Sequence, residues 1–174
     1  MPLQPAVSAN CDSLFAIKNQ LSELPASLYT KKPTLTESSI GVHTRHILEH
    51  YQMLFTGLPE GIICYDNRVR NEVIERSISS ALSTLDGITS HLQTLTKVED
   101  QHLVLKTAVA GYTNDRLSIN TSLVRELAFI HSHTIHHQAI ISMLLKAESI
   151  HVAKDFGVAP ATLQFQRQTL SSNS

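Results

Sequence analysis

The sequence of 174 residues contains no tryptophan, and aromatic residues make up only 5% of it. Its core must therefore be built on aliphatic side chains. Cysteine occurs twice, at Cys11 and Cys64. Two cysteines make no disulfide framework and fit a reducing compartment. An excess of one charge is missing too, with Lys+Arg at 14 and Asp+Glu at 15 for a formal net charge of -1. A near-neutral chain has no bulk electrostatic hold on nucleic acid or an anionic membrane, and neither is expected as a partner. No stretch approaches the roughly 20 apolar residues of a membrane helix. The opening MPLQPAVSAN lacks the basic and apolar regions of a secretory leader. A cytoplasmic location is expected.

What is present is a globular composition, 42% hydrophobic and 17% charged. The length suits one domain of about 100–200 residues, here 1–174 with loose ends near 1–10 and 168–174. Leu14, Ile17, Leu21, Leu24 and Leu28 recur at helical spacing from Asp12 to about Leu28, with Pro25 stopping the helix early, near Glu23. Thr30 to Thr36 reads as a loop. Ser38 or Ser39 caps a second helix that ends near Leu58, before Pro59. Asp66 or Asn67 caps a third, running to about Leu95 on a stripe of Val73, Ile74, Ile78, Leu82, Leu85, Ile88, Leu92 and Leu95. A small hairpin is expected within 98–121, around Gly111 and Thr113 to Asp115. A fourth helix spans Thr121 to Glu148, and an extended tail follows. Four amphipathic helices in one domain predict an all-α fold, a four-helix bundle with long connections.

Ten histidines are the compositional oddity. His43, His46 and His50 lie on the second helix at steps of three and four, within an arc of about 60°. His133 and His137 stand one turn apart on the fourth helix, on the stripe with Ile130, Ile141 and Leu144. Imidazoles at that spacing can ligate one ion together. Burying several imidazoles without partners costs about 1–3 kcal/mol per unsatisfied group, and a metal offsets that cost. His131 and His136 point elsewhere on the helix, and His91, His102 and His151 are expected at the surface. A hemerythrin-like carboxylate four residues after a histidine occurs only as His151 and Asp155, outside the core helices. There is no HExxH, no paired CxxC, no P-loop and no Rossmann fingerprint. A mononuclear three-histidine centre is what this inventory leaves.

SIGVHTRHILEHY on the second helix and RELAFIHSHTIHHQAII on the fourth resemble the DinB-like (YfiT-like) superfamily of metal-dependent four-helix-bundle proteins. The resemblance covers roughly Ser38 to Leu163. It departs from the commoner pattern at Ser132, where the family has asparagine, and at Gln138-Ala139, where arginine-glycine is frequent. It implies His133 and His137 as the ligand pair, and His46, followed by Ile47-Leu48-Glu49, as the third ligand. His50, one turn on, is the alternative. The resemblance further implies a divalent ion, zinc or nickel first, and a small-molecule substrate. Family members of known activity include transferases that use low-molecular-weight thiols. A thiol S-transferase or a hydrolase is therefore the expected activity. A non-catalytic metal-binding or stress-related structural bundle, one version of it a homodimerisation module, is the rival. His43, Glu49, Tyr65, Asp66 and Arg68 are candidates to support the ligands or line the cavity. Arg45 and Arg70 are further candidates for substrate contact, and Glu126, like Glu49, for orienting a ligand.

Overall fold

The computed structural model describes residues 3–34, 36–108 and 116–172. Among these the chain forms seven α-helices and three short strands. The protein is mostly helical, with a small mixed sheet that a purely α reading does not contain.

Helix α1 spans Gln4–Ser22. It begins well before Asp12, because Pro5 fits the first turn, where no backbone donor is needed. Leu3 and Val7 are buried, so the stretch expected to be loose at the amino end is packed helix from Gln4 onward. The chain leaves α1 at Glu23, as Pro25 dictates, and makes one further turn, α2, at Ala26–Tyr29. Helix α3, Ile40–Gly57, is capped by Ser39, whose hydroxyl accepts the Val42 N–H.

The expected third helix is interrupted. Tyr65–Asn67 form a 3-10 turn, Arg70 adopts a left-handed conformation, and α4 covers only Glu72–Arg76. Ser77 is extended, and its hydroxyl accepts the Ser80 N–H to start α5 at Ile78–Thr94. Two side-chain caps, Asn71 and Ser77, sit inside what reads as one apolar stripe. Val73, assigned to that stripe, is 62% exposed. Asp66 caps no helix; its carboxylate accepts the Ala108 N–H.

Strands β2, His102–Thr107, and β3, Leu117–Ser122, pair antiparallel, as the hairpin expectation required. The turn residues named for it, Gly111 and Thr113 to Asp115, lie outside the described residues. Strand β1, Ile62–Ile63, adds a parallel partner to β2. Helix α6 runs Leu123–Ala147 from a Ser122 cap. The tail is helical from Pro160 through Ser172 (α7) rather than extended.

Each of α1 and α3 packs against both α5 and α6. The core between them is aliphatic, including Leu14, Ile17, Ile47, Leu54, Leu85, Leu127 and Ile130. One polar group of residues crosses it. The Asn10 amide donates to the Leu127 carbonyl at 3.1 Å, and Tyr51 Oη donates to Asn10 Oδ1 at 2.8 Å while lying 3.1 Å from Thr134 Oγ1. These contacts lock α1, α3 and α6 in register. Gly41 allows α3 to approach α4, since a Cβ there would meet the Glu75 carbonyl oxygen at 2.0 Å. No helix among the described residues is long and apolar enough to cross a membrane.

Candidate metal centre

Contact between α3 and α6 brings their histidines together. His46 and His133 face each other with Nε2 atoms 3.0 Å apart. The His50 ring lies 4.2 Å from that of His133 and 4.5 Å from that of His46, centroid to centroid. His46, His50 and His133 each offer one ring nitrogen within 4.8 Å of the other two. His137 is also adjacent, its centroid 4.6 Å from those of both His46 and His133. Its Nδ1, however, is turned to His43 Nδ1 at 3.1 Å. The structure thus gathers all five histidines of the two stripes, and places His50 rather than His137 in the tightest nitrogen triad.

Hydrogen bonds constrain the tautomers. His50 Nδ1 lies 2.7 Å from the His46 carbonyl oxygen, which can only accept. Nδ1 therefore carries the proton, and in the neutral ring Nε2 is left bare as a donor to a metal. His46 and His133 cannot both present a bare Nε2 at 3.0 Å without something positive between them. A proton on one ring serves, and so does an ion held by both. His43 Nε2 is buried with no hydrogen-bond partner among the described residues.

The rings are held neutral. Burial, and then the neighbouring imidazoles of His50 and His137 ahead of the Arg68 charge, push His46 far below its usual value. Burial leads again at His137, followed by His133 and His43. His50 and His133 are each lowered to about 4, burial being the largest cause in both. Neutral imidazole is the form that ligates. The donor set fits a borderline divalent ion on its chemistry: imidazole nitrogens on facing helices, already deprotonated at neutral pH.

The surroundings are built from the turn after β1. The Tyr65 ring stacks on His50 at 5.3 Å, and its hydroxyl donates to Glu126 at 2.8 Å. Glu126 is fully buried and also accepts from Thr121 and Arg125. It orients Tyr65, not a histidine. Phe129 stacks on His133 at 5.8 Å. Glu49 likewise touches no histidine. It accepts the Asn71 N–H at 2.7 Å and lies 3.8 Å from Arg45 and 4.0 Å from Arg68. Arg45 is held by Glu75 at 2.6 Å, and Arg70 is exposed. Sequence reasoning missed Phe129 and Thr121. The first reads as one more apolar residue of a helix, and the second acts across a strand–helix junction that no spacing reveals.

A cleft of about 800 Å³ lies elsewhere, between α1, α6 and the segment leading into α7. Its walls include Asp12, Phe15, His131, Ile135 and Phe156, and none of the five clustered histidines.

No known family model matches the chain. Its sequence is similar to that of FK506-binding protein 5 of Rhizopus delemar (strain RA 99-880), with 25% identity over 149 residues. The match takes in 85% of this chain and 37% of that protein, so the chain spans little more than a third of its relative's length.

Proposed function

We propose that this chain is a divalent-metal-dependent enzyme of the DinB-like type. Its scaffold is a four-helix bundle of α1, α3, α5 and α6, within a single domain over 1–174. The observation that carries the reading is the triad of ring nitrogens within 4.8 Å on two facing helices. His46 and His133 belong both to the ligand set that the resemblance implies and to the nitrogen triad. The resemblance makes His137 the third ligand, whereas the nitrogen spacing favours His50, whose tautomer is already set. Zinc or nickel is the expected ion.

Held by these imidazoles, a divalent ion would supply a thiolate nucleophile at neutral pH, since a thiol coordinated to such an ion loses its proton. The chain's own residues hold three imidazoles neutral, fix the His50 ring between the His46 carbonyl and Tyr65, and flank the site with Phe129. The substrate is a small molecule, and a low-molecular-weight thiol is the co-substrate of an S-transferase; hydrolysis by a bound water is the other activity. We place the protein in the cytoplasm, as a homodimer.

One observation favours the rival, a metal-binding bundle without turnover: the large cleft does not reach the histidines. Metal analysis of the purified protein followed by a thiol-conjugation screen decides between them. Stoichiometric metal with conjugation supports the enzyme. Metal that never exchanges, with no conjugation, supports the structural role. Absence of any metal affinity sinks both.

A further inference from the structure

The cleft that stands apart from the histidine cluster is a built feature of the fold. Ala9, Ser13 and Ala16 of α1 follow one another at steps of four and three, and so do His131, Ile135 and Gln138 of α6. Each set therefore lines one face of its helix. The α1 residues are small, and beside them a volume of about 800 Å³ stays open, within the range of small-molecule pockets. The third wall, between α6 and α7, is fixed in place. Gly157, at a φ of 75°, lies so close to α6 that a Cβ there would meet the Ala139 nitrogen at 2.5 Å. Phe156 beside it is buried, and the Gln20 amide of α1 donates to the His151 carbonyl at 3.1 Å.

The buried part of the lining is mostly apolar, with Leu24 and Phe156, while Phe15 is 62% exposed at the mouth. Two polar residues are buried in it. Ser13 spends its hydroxyl on the Ala9 carbonyl at 3.0 Å. Gln138, only 1% exposed, donates its amide nitrogen to the Ser13 carbonyl at 2.8 Å, and its Oε1 has no hydrogen-bond partner among the described residues. That oxygen is not sealed inside the protein, so it opens on the cleft that its residue lines. A buried polar atom left this way calls for a donor.

The charge of the lining has one sign. Asp12, Glu23 and Asp155 belong to it, and no lysine or arginine does among the described residues. None of the three carboxylates is in an ion pair there. Asp155 also borders Lys154 and Arg167 in a neighbouring hollow, which leaves Asp12 and Glu23 as the uncompensated charges. An anion would be repelled. An ammonium would meet two carboxylates and the exposed face of Phe15.

We propose that the cleft between α1, α6 and the segment before α7 is a second binding site, for a small apolar amine whose hydrocarbon body packs on the lining, whose N–H is taken by Gln138 Oε1 and whose charge is balanced by Asp12 and Glu23. The site shares no lining residue with the histidine cluster, so it stands or falls without a metal ion.

The test measures calorimetric binding to the full chain at pH 8, where an alkylamine is charged. The probes share one skeleton: 4-phenylbutylamine, its trimethylammonium analogue, 4-phenylbutanol and 4-phenylbutyrate. The amine should bind once per chain, about tenfold more tightly than the alcohol, and the carboxylate more weakly still. The trimethylated probe, which keeps the charge and lacks the N–H, should bind more weakly than the amine. Asp12→Asn with Glu23→Gln should bring amine and alcohol within about threefold of each other. Ala16→Phe, which fills the cleft, should abolish binding of both while leaving helical circular dichroism unchanged. No binding of the amine, equal binding of amine and carboxylate, or full binding retained in Ala16→Phe overturns the proposal. Equal binding of the amine and its trimethylated analogue overturns the role of Gln138. If Ala16→Phe does not fold, the probe series and the two surface substitutions still decide.

Discussion

The chemistry of the site turns on single nitrogens. His133 is common to the resemblance and to the nitrogen triad, so His133→Ala should abolish stoichiometric metal, and His46→Ala should do the same. His50 and His137 are where the two differ. Because His50 Nδ1 is tied to the His46 carbonyl while His137 Nδ1 faces His43, His50→Ala should cost more metal than His137→Ala. Metal content per chain, measured on variants with unchanged helical circular dichroism, checks this. The reverse order would return His137 to the first coordination shell. The histidine stripes were legible because 3.6 residues per turn turns a spacing of three or four into a shared face. The side-chain torsions that select among five neighbouring rings leave no mark on spacing, and the choice between His50 and His137 depends on them.

At the scale of elements, helix identity followed from apolar periodicity, and helix register did not. The register between α1, α3 and α6 is held by Asn10, Tyr51 and Thr134, polar residues within otherwise apolar faces. Removing the hydroxyl in Tyr51→Phe leaves Asn10 Oδ1 buried without its donor. That should cost about 1–3 kcal/mol, the penalty for an unsatisfied buried polar group. Denaturant melts at a common slope measure it; a loss below about 0.5 kcal/mol would mean that the neighbours of Asn10 rearrange to replace the bond. Other elements were hidden for different reasons. β1 consists of Ile62 and Ile63, too short to carry a period. The break between α4 and α5 comes from Ser77, which caps a helix from within a continuous apolar pattern. Tertiary contact decides both.

For the whole molecule, the clustered histidines link stability to pH. Their protonation is depressed in the folded state, so below the ordinary histidine value near 6.5 the unfolded chain binds more protons than the native one. Stability is therefore at its full value above pH 6.5 and falls as pH drops toward 4, the value to which His50 and His133 are lowered. Chelated protein should show a melting temperature that declines through that window and is nearly flat above it. Metal should raise the melting temperature at pH 7.5, by about 5–10 °C for a ligand at one hundred times its Kd. That gain should shrink toward pH 5, because protons compete for the same nitrogens. Equal melting temperatures with and without chelator, in protein shown to carry metal, would separate the ion from the fold.

The pairing of Ile62 with Val104 and of Ile63 with Leu105 also dictates an order of assembly. The turn carrying Tyr65 and Arg68 is tethered to α3 on one side and anchored by β2 on the other, after the whole of α4 and α5 has intervened. Closing that long loop is entropically slow compared with winding a helix. In refolding, α3 and its histidines are made early, while the stacking of Tyr65 on His50 waits for the strands to find each other. Helical ellipticity should recover ahead of tyrosine fluorescence, and Ile63→Ala should delay the second signal without slowing the first. A single shared rate for both probes would mean that the sheet forms together with the helices. In the staged order the site is a late product of folding, its histidines in place before the Tyr65 ring closes over His50.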